Sequence, residues 1–219
     1  MLKSNGANLL KQRHKMAGFC FSPFPVLLTE RLVLDRTVDA DAHHLYLLRS
    51  NDGVMRYVER PRPQNDDDAL ANIRSMDQKI IDNEAIAWAI RIKGNPELIG
   101  VIGYWRAKPE HYRAEVGYMI MPEYWGRGIT SEALMAVLEY GFSEMQLHSV
   151  EADINPDNVA SRKVLLKAGF KSEAFFRENY FWQGRFYNSE IFGLIASEFR
   201  LQKRSSSIPS VFTNTRRHS

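Results

Sequence analysis

Apolar and polar positions along the chain fall into two alternating periods. Residues 26–36 predict a strand around a turn at Thr29-Glu30. Asp39 or Asp41 is placed to cap a helix through about Arg49. Asp66, Asp67 and Asp68 put negative charge on the first turn of a helix running to about Asn83. Ile86–Ile92 reads as a strand, Gly94-Asn95-Pro96 as a turn, and Leu98–Trp105 as a second strand of one hairpin. Residues 113–121 form a further strand, ended by Pro122. Ser131–Met145 is a strong helix, with Leu134, Val137, Leu138, Gly141, Phe142 and Met145 at helical spacing. His148–Ile154 reads as a buried strand. Asp157 caps a helix that stops at Gly169. Strands at about 172–182 and 186–196 flank a Gln183-Gly184 turn. The pattern predicts seven strands and four helices in a mixed α/β fold.

Composition adds limits. The 219 residues are 44% hydrophobic and 25% charged, as in an ordinary globular protein, and suffice for one domain with tails. No apolar run reaches the roughly 18 residues of a membrane helix. The single cysteine, Cys20, excludes a disulfide framework or a multi-cysteine zinc site. His43 and His44 lack a His-Glu-x-x-His pattern, so no metal is expected.

The net charge of +3 divides unevenly. Residues 1–20 and 200–219 carry nine bases and no acid; residues 21–199 carry 20 bases against 26 acids. Both ends are expected to be unfolded, as a 1–25 extension and a basic 198–219 tail. The first stretch is acid-free like a transit peptide but has no apolar signal core, and translation starting at Met16 is an alternative. A cytoplasmic location is expected. The acidic body argues against nucleic acid as the main ligand and suits a cationic substrate; basic tails docking on RNA would show a steep salt dependence.

The chemistry concentrates in Pro122-Glu-Tyr-Trp-Gly126-Arg127-Gly128-Ile129-Thr130-Ser131, which joins a strand to a helix. Glycines let backbone approach a ligand, and the N–H groups opening the helix favour an anion. Arg127 adds positive charge, so a phosphate, or a pyrophosphate given the loop length, is the natural ligand. The segment is neither a P-loop, since Ile129 follows Gly128, nor a dinucleotide fingerprint, since Ser131 replaces the third glycine. A tight strand-to-helix turn is the plain structural alternative. A second segment, Asn155-Pro-Asp-Asn158-Val-Ala-Ser161 through Leu165 to Gly169-Phe170, puts Asn158, Ser161 and Leu165 on one helix face. An ordinary capped helix is the plain reading there.

Together with Leu27-Leu-Thr-Glu-Arg-Leu-Val-Leu34 and Ala114-Glu-Val-Gly-Tyr118, these blocks resemble the GNAT family of acetyl-CoA-dependent N-acetyltransferases, and within it the RimJ/RimL-type branch. The resemblance covers about 26–197. The family's Gln/Arg-x-x-Gly-x-Gly/Ala signature aligns with Trp125-x-x-Gly128-x-Thr130, where Thr130 is the larger departure and would crowd the loop.

The resemblance implies a GNAT fold with a splayed central sheet. The backbone of Met119, Ile120 and Met121 would hold the pantetheine arm, with one N–H as an oxyanion hole. Gly126, Arg127, Gly128, Ile129, Thr130 and Ser131 would bind the pyrophosphate, and Asn158 would bond the pantetheine or brace the splay. Transfer would be direct, with no role for Cys20. Glu115 is the first candidate base, ahead of Glu173, Glu178 and Tyr180. Ser161 is the candidate donor to the departing sulfur.

The branch suggests a protein N-terminus as acceptor, such as a ribosomal protein's. A polyamine-like or aminoglycoside-like amine is the rival, and a non-catalytic CoA-binding module is the alternative of another class. Oligomeric state, a homodimer included, is open. Tyr180, Phe181, Trp182, Phe186 and Tyr187 read as core, or as an aromatic lip on the acceptor groove.

Overall fold

Thr29 turns the chain on itself. Its hydroxyl accepts from the Leu32 N–H at 2.9 Å, so the strand expected over 26–36 divides into β1 (Leu27–Leu28) and β2 (Leu32–Asp35). The computed structural model describes residues 19–206. A 3₁₀ turn leads into α1 (Ala42–Ser50), the short α2 (Asp52–Met55) and α3 (Asp66–Ile81). Then come β3 (Ile86–Ile92), β4 (Gly100–Lys108), β5 (Arg113–Ile120), α4 (Ile129–Ser143), β6 (Ser149–Ile154), α5 (Val159–Lys167), β7 (Lys171–Trp182), β8 (Arg185–Ile195) and α6 (Ala196–Ser206). The sheet runs β1-β2-β3-β4-β5-β6-β8-β7 and is antiparallel except at β5–β6. The α/β fold class is as expected; the described residues form eight strands and six helices, against seven and four in the sequence pattern.

Alternation within the strands assigns the two faces. Ile86, Trp88 and Ile90 of β3 join Ile102 and Tyr104 of β4 in the larger core, against Leu134, Val137 and Leu138 of α4. Ala89 and Val101 point the other way, toward Leu45, Leu48, Ala69 and Ile73 of α1 and α3. Small residues on that face allow close approach: a Cβ on Gly103 would lie 2.7 Å from the Ala87 Cα. The fully buried Tyr104 donates its hydroxyl to the Val137 carbonyl at 3.0 Å, in room left by Gly141.

α1 is fastened to the sheet by charge. Arg91 on β3 donates to both Asp41 carboxylate oxygens at 2.8 Å, to Asp35 at 2.8 Å and to the Pro96 carbonyl at 2.6 Å. Hydrogen bonding to Asp41 raises its pKa further, against the effect of burial. Arg91→Met leaves two carboxylates without their cation and is expected to cost about 3–5 kcal/mol. Urea unfolding reads this as a lowered midpoint; an unchanged midpoint would contradict it.

Two terminal expectations need correction. Residues 19–25 are packed: Phe21 is buried, its N–H donates to Asn83 at 2.9 Å, and the Trp88 indole donates to the Pro25 carbonyl at 2.8 Å. The chain is helical to Ser206 rather than tail-like from 198, because Phe199 docks on Phe142 with ring centroids 5.1 Å apart. The rest of both expected tails, 1–18 and 207–219, lies outside the described residues. No described helix is long and apolar enough to cross a membrane.

The β7–β8 hairpin turns at Gln183-Gly184, where both φ angles are positive, 45° and 86°, as a type I′ turn demands. Its aromatics are not all core. Phe181 and Phe186 form an exposed cross-strand pair at 5.0 Å, and Tyr180 stacks on Tyr187 at 5.5 Å.

Candidate functional site

β5 and β6 pair only at Arg113–Glu115 with Ser149–Glu151, then separate. β5 keeps its pairing with β4 to Ile120, and β6 keeps its pairing with β8 to Ile154. The facing edges of both strands beyond Glu115 and Glu151 are therefore open.

Hydrogen-bond parity decides which β5 groups face that opening. The Met121 N–H donates to the Ile99 carbonyl on the β4 side at 2.9 Å, and the Tyr112 carbonyl accepts from His148 of the β6 side at 2.7 Å. Alternation then directs the backbone of Met119 toward β4, and that of Val116, Tyr118 and Ile120 toward the opening. Of the three residues expected to hold a pantetheine arm, only Ile120 presents its N–H there. Met119 and Met121 are spent on sheet bonds, while Tyr118, unpredicted, is available. The Ile120 carbonyl is already taken by the Trp125 indole N–H at 2.8 Å.

The loop after β5 ends in an uncapped helix. Gly126 and Gly128 have φ of 70° and 75°, the left-handed region. Backbone shape, rather than crowding, requires glycine here: a Cβ on Gly126 would meet nothing within 4 Å. Gly128 is the N-cap of α4, with no side-chain hydrogen bond to the cap. The first intrahelical bond runs from the Glu132 N–H to the Gly128 carbonyl at 3.1 Å, which leaves the N–H groups of Ile129, Thr130 and Ser131 without helical partners. The helix starts at Ile129, whose side chain is buried in the core, two residues before the expected start.

Glu132 does not fill this site. Its carboxylate accepts from Thr29 at 2.6 Å and from the Arg31 N–H and guanidinium at 2.8 and 2.6 Å. Against the opposing effect of burial, these bonds hold its pKa below the usual range. Arg31 also donates to the Arg127 carbonyl at 3.0 Å, pinning the loop. Arg127 itself lies over Tyr124, 5.5 Å from the ring centroid. An anion at this helix end would meet main-chain donors with two guanidinium groups close by.

Across the opening, α5 begins at Asn158. The side-chain oxygen of Asn158 accepts from the Ser161 N–H at 3.0 Å, so it is the helix cap and only its amide nitrogen is free for a ligand. Ser161 is buried, and its hydroxyl shares a 2.8 Å hydrogen bond with that of Tyr118. Burial pushes the Tyr118 phenol up to about 12, so it stays protonated at neutral pH.

A cleft of about 950 Å³ is lined by Tyr118, Asn158 and Ser161 together with Trp105, Glu115 and Asp153. Register places Glu115, Glu151 and Asp153 on one face of β5–β6. Arg113 pairs with Glu151, and Arg106 with Glu115 at 2.9 Å. Glu115, expected as the base, is thus a strand carboxylate paired with an arginine. Asp153 has no ion-pair partner among the described residues. Partial desolvation in the cleft, with the Glu115 carboxylate nearby, pushes the pKa of this exposed side chain up to about 6. Tyr180 of β7 donates to Glu59 at 2.7 Å across the cleft mouth, and burial and that bond raise its pKa well above the phenol range.

Sequence reasoning missed Asp153, Tyr118 and Glu59. The signal for Asp153 was its two-residue offset from Glu151 in a strand next to Glu115. Glu59 carried none, because it reaches the site from the loop between α2 and α3. Glu173 lies under Gly193, and the Glu178 N–H is held by Asn188 in the β7–β8 hairpin.

The model of the acetyltransferase (GNAT) domain matches residues 31–171. The uncharacterized N-acetyltransferase YoaA of Bacillus subtilis (strain 168) is 35% identical over 172 residues, 78% of this chain and 97% of that protein. Spermidine N(1)-acetyltransferase of Escherichia coli (strain K12) is 26% identical over 151 residues, 68% of this chain and 77% of that protein. Among solved structures, Mycobacterium smegmatis RimJ in complex with CoA-disulfide matches with a TM-score of 0.71 at 20% identity, covering 80% of this chain and 89% of that one, which is a likeness of fold. With the open strand pair and the uncapped helix already in place, the match over most of its length makes this chain a member of the GNAT acetyltransferase family and an N-acetyltransferase.

Proposed function

We propose that the chain moves an acetyl group from acetyl-CoA directly to a primary amine within the β5–β6 opening. The observation that carries this reading is the open β5 edge running straight into the unsatisfied N–H groups of α4. An extended arm ending in a diphosphate has that shape and charge: the arm lies along β5, and the diphosphate sits on the amides of Gly128–Ser131. In this reading the Ile120 N–H, which alternation turns into the opening, faces the thioester oxygen and stabilises the charge that develops there.

Asp153 takes the place of Glu115 as first candidate base, acting directly or through one water. A base with a pKa near 6 suits an α-amino group, whose own pKa of about 7.7–8 leaves a useful neutral fraction at pH 7. The amine attacks the carbonyl carbon, its proton passes to Asp153, and the C–S bond breaks. The departing sulfur accepts a hydrogen bond from the Ser161–Tyr118 pair.

The RimJ/RimL-like sequence blocks favour a protein N-terminus as acceptor. The carboxylates of Asp153 and Glu59 support a second reading, a polyamine-like amine, in keeping with the spermidine acetyltransferase among its relatives.

The test is thiol release from acetyl-CoA across a panel of N-terminal peptides and small amines. Turnover is expected; tight CoA binding with no turnover on any acceptor would leave a binding module. In the same assay Ser161→Ala and Tyr118→Phe should each lower kcat about 10- to 100-fold with little change in acetyl-CoA affinity. An unchanged kcat in both would reduce the pair to scaffold.

A further inference from the structure

The transfer reaction needs no cation on the acceptor side of the cleft, yet the cleft holds two that no described carboxylate pairs. Arg49, on the last turn of α1, is partly buried and lines the cleft. Its only side-chain partner among the described residues is the amide oxygen of Asn72, at 3.0 Å. Its Nε is fully shielded from solvent with no acceptor. Arg60 lies against Trp105, 5.6 Å from the ring centroid, in the same cleft. No carboxylate lies within 4.0 Å of either guanidinium among the described residues.

Neighbouring arginines show the contrast. Arg62 is paired with Asp52, Arg106 with Glu115, and Arg91 with Asp35 and Asp41. A guanidinium withdrawn from water with unsatisfied donors is costly, and a second cation beside it adds repulsion. Burial and Arg60 together pull the Arg49 pKa below its ordinary value. An anion bound between the two would remove both penalties.

The cleft therefore divides its charge between two pairs, Asp153 of β6 with Glu59 and Arg49 of α1 with Arg60, and all four residues line it. We infer that the acceptor is an amine that also carries a carboxylate, the amine lying toward Asp153 and the carboxylate between Arg49 and Arg60. This rests on the proposed transfer to an amine and narrows it: a polyamine would bring positive charge against the two arginines. The amine-and-carboxylate chemistry is shared by a free amino acid and by a peptide with an acidic residue near its N-terminus.

The experiment uses the full chain with matched acceptors differing by one carboxylate. L-Alanine is compared with L-alaninamide, and Ala-Glu-Ala amide with Ala-Gln-Ala amide; spermidine serves as the cationic control. Thiol release gives kcat/KM, and calorimetry of the same compounds against the CoA-saturated protein gives affinity without turnover. At least one carboxylate member should exceed its amide by about tenfold or more in affinity, and Arg49→Gln should remove most of that preference. The pair that shows the preference says whether the acceptor is a free amino acid or a peptide.

Arg49→Lys should keep part of the preference, and Arg60→Gln provides a second route if the first variant unfolds. Equal binding within both pairs, or spermidine bound best, would overturn the inference. So would a fall in CoA affinity of Arg49→Gln matching the fall for the acid, since the anion would then belong to the coenzyme. Absence of thiol release with every amine is a different result: it counts against acetyl transfer, while the calorimetric preference still decides the charge division.

Discussion

Asp153→Asn is expected to lower kcat by about 10²–10⁴-fold, the usual worth of a positioned general base. The expectation has a pH signature. With a pKa pushed up to about 6, Asp153 is ionised above that pH and protonated below it. For the unaltered protein, kcat/KM should show one limb rising with pH through about 6, beside the rise through about 7.7–8 with which the acceptor amine becomes neutral; in the Asn variant the lower limb should vanish. Stability should move the other way. A carboxyl whose pKa is raised on folding from its ordinary 3.8 binds its proton more tightly in the folded chain. It supports the fold below that ordinary value, and the support is lost as pH rises through about 6. At pH 7–8 the Asn variant should thus melt at the same temperature as the parent or higher. A slow variant that also melts early would point to a structural role for Asp153. An unchanged pH profile would remove it as the base.

Gly128→Glu is expected to abolish measurable acetyl-CoA binding. Three effects act together. The backbone sits at φ 75°, where a side chain is strained. The new carboxylate stands at the unpartnered N–H groups of α4 and can fold back to occupy them. Its charge repels the diphosphate. Gly128→Ala separates these effects, because a Cβ there would meet only Arg31, at 3.5 Å. The Ala variant should carry the backbone strain, about 1–2 kcal/mol of stability, and retain much of its affinity. Calorimetric titration with acetyl-CoA reads both. Near-normal affinity in the Glu variant would be irreconcilable with a diphosphate on this loop.

Much of the architecture was legible because its signals are local. The face Leu134–Val137–Leu138–Gly141–Phe142 is the buried face of α4, and Gln183-Gly184 makes the turn that its residues favour. The glycine loop was legible from its spacing, and the positive φ of Gly126 and Gly128 adds a backbone reason for those glycines. What was not legible depended on pairing between distant strands. Which backbone atoms of Met119, Ile120 and Met121 are free follows from the β4–β5 register, and no feature of those residues reveals it. Asp153 and Glu115 look alike in sequence; Arg106 sets them apart by pairing with one and not the other. The helix α6 was missed because so much of it is polar. Phe199 docks it on Phe142, and Glu198 pairs with Lys171.

The account stands on the amides at the start of α4 receiving the coenzyme diphosphate. A crystal structure of the protein with acetyl-CoA tests this most directly. Phosphate oxygens should lie about 2.7–3.2 Å from main-chain nitrogens of residues 128–131, with the pantetheine arm beside Ile120 in the β5–β6 opening. Acetyl-CoA bound elsewhere, with those nitrogens facing only water or the side chains of Arg31 and Arg127, would contradict it.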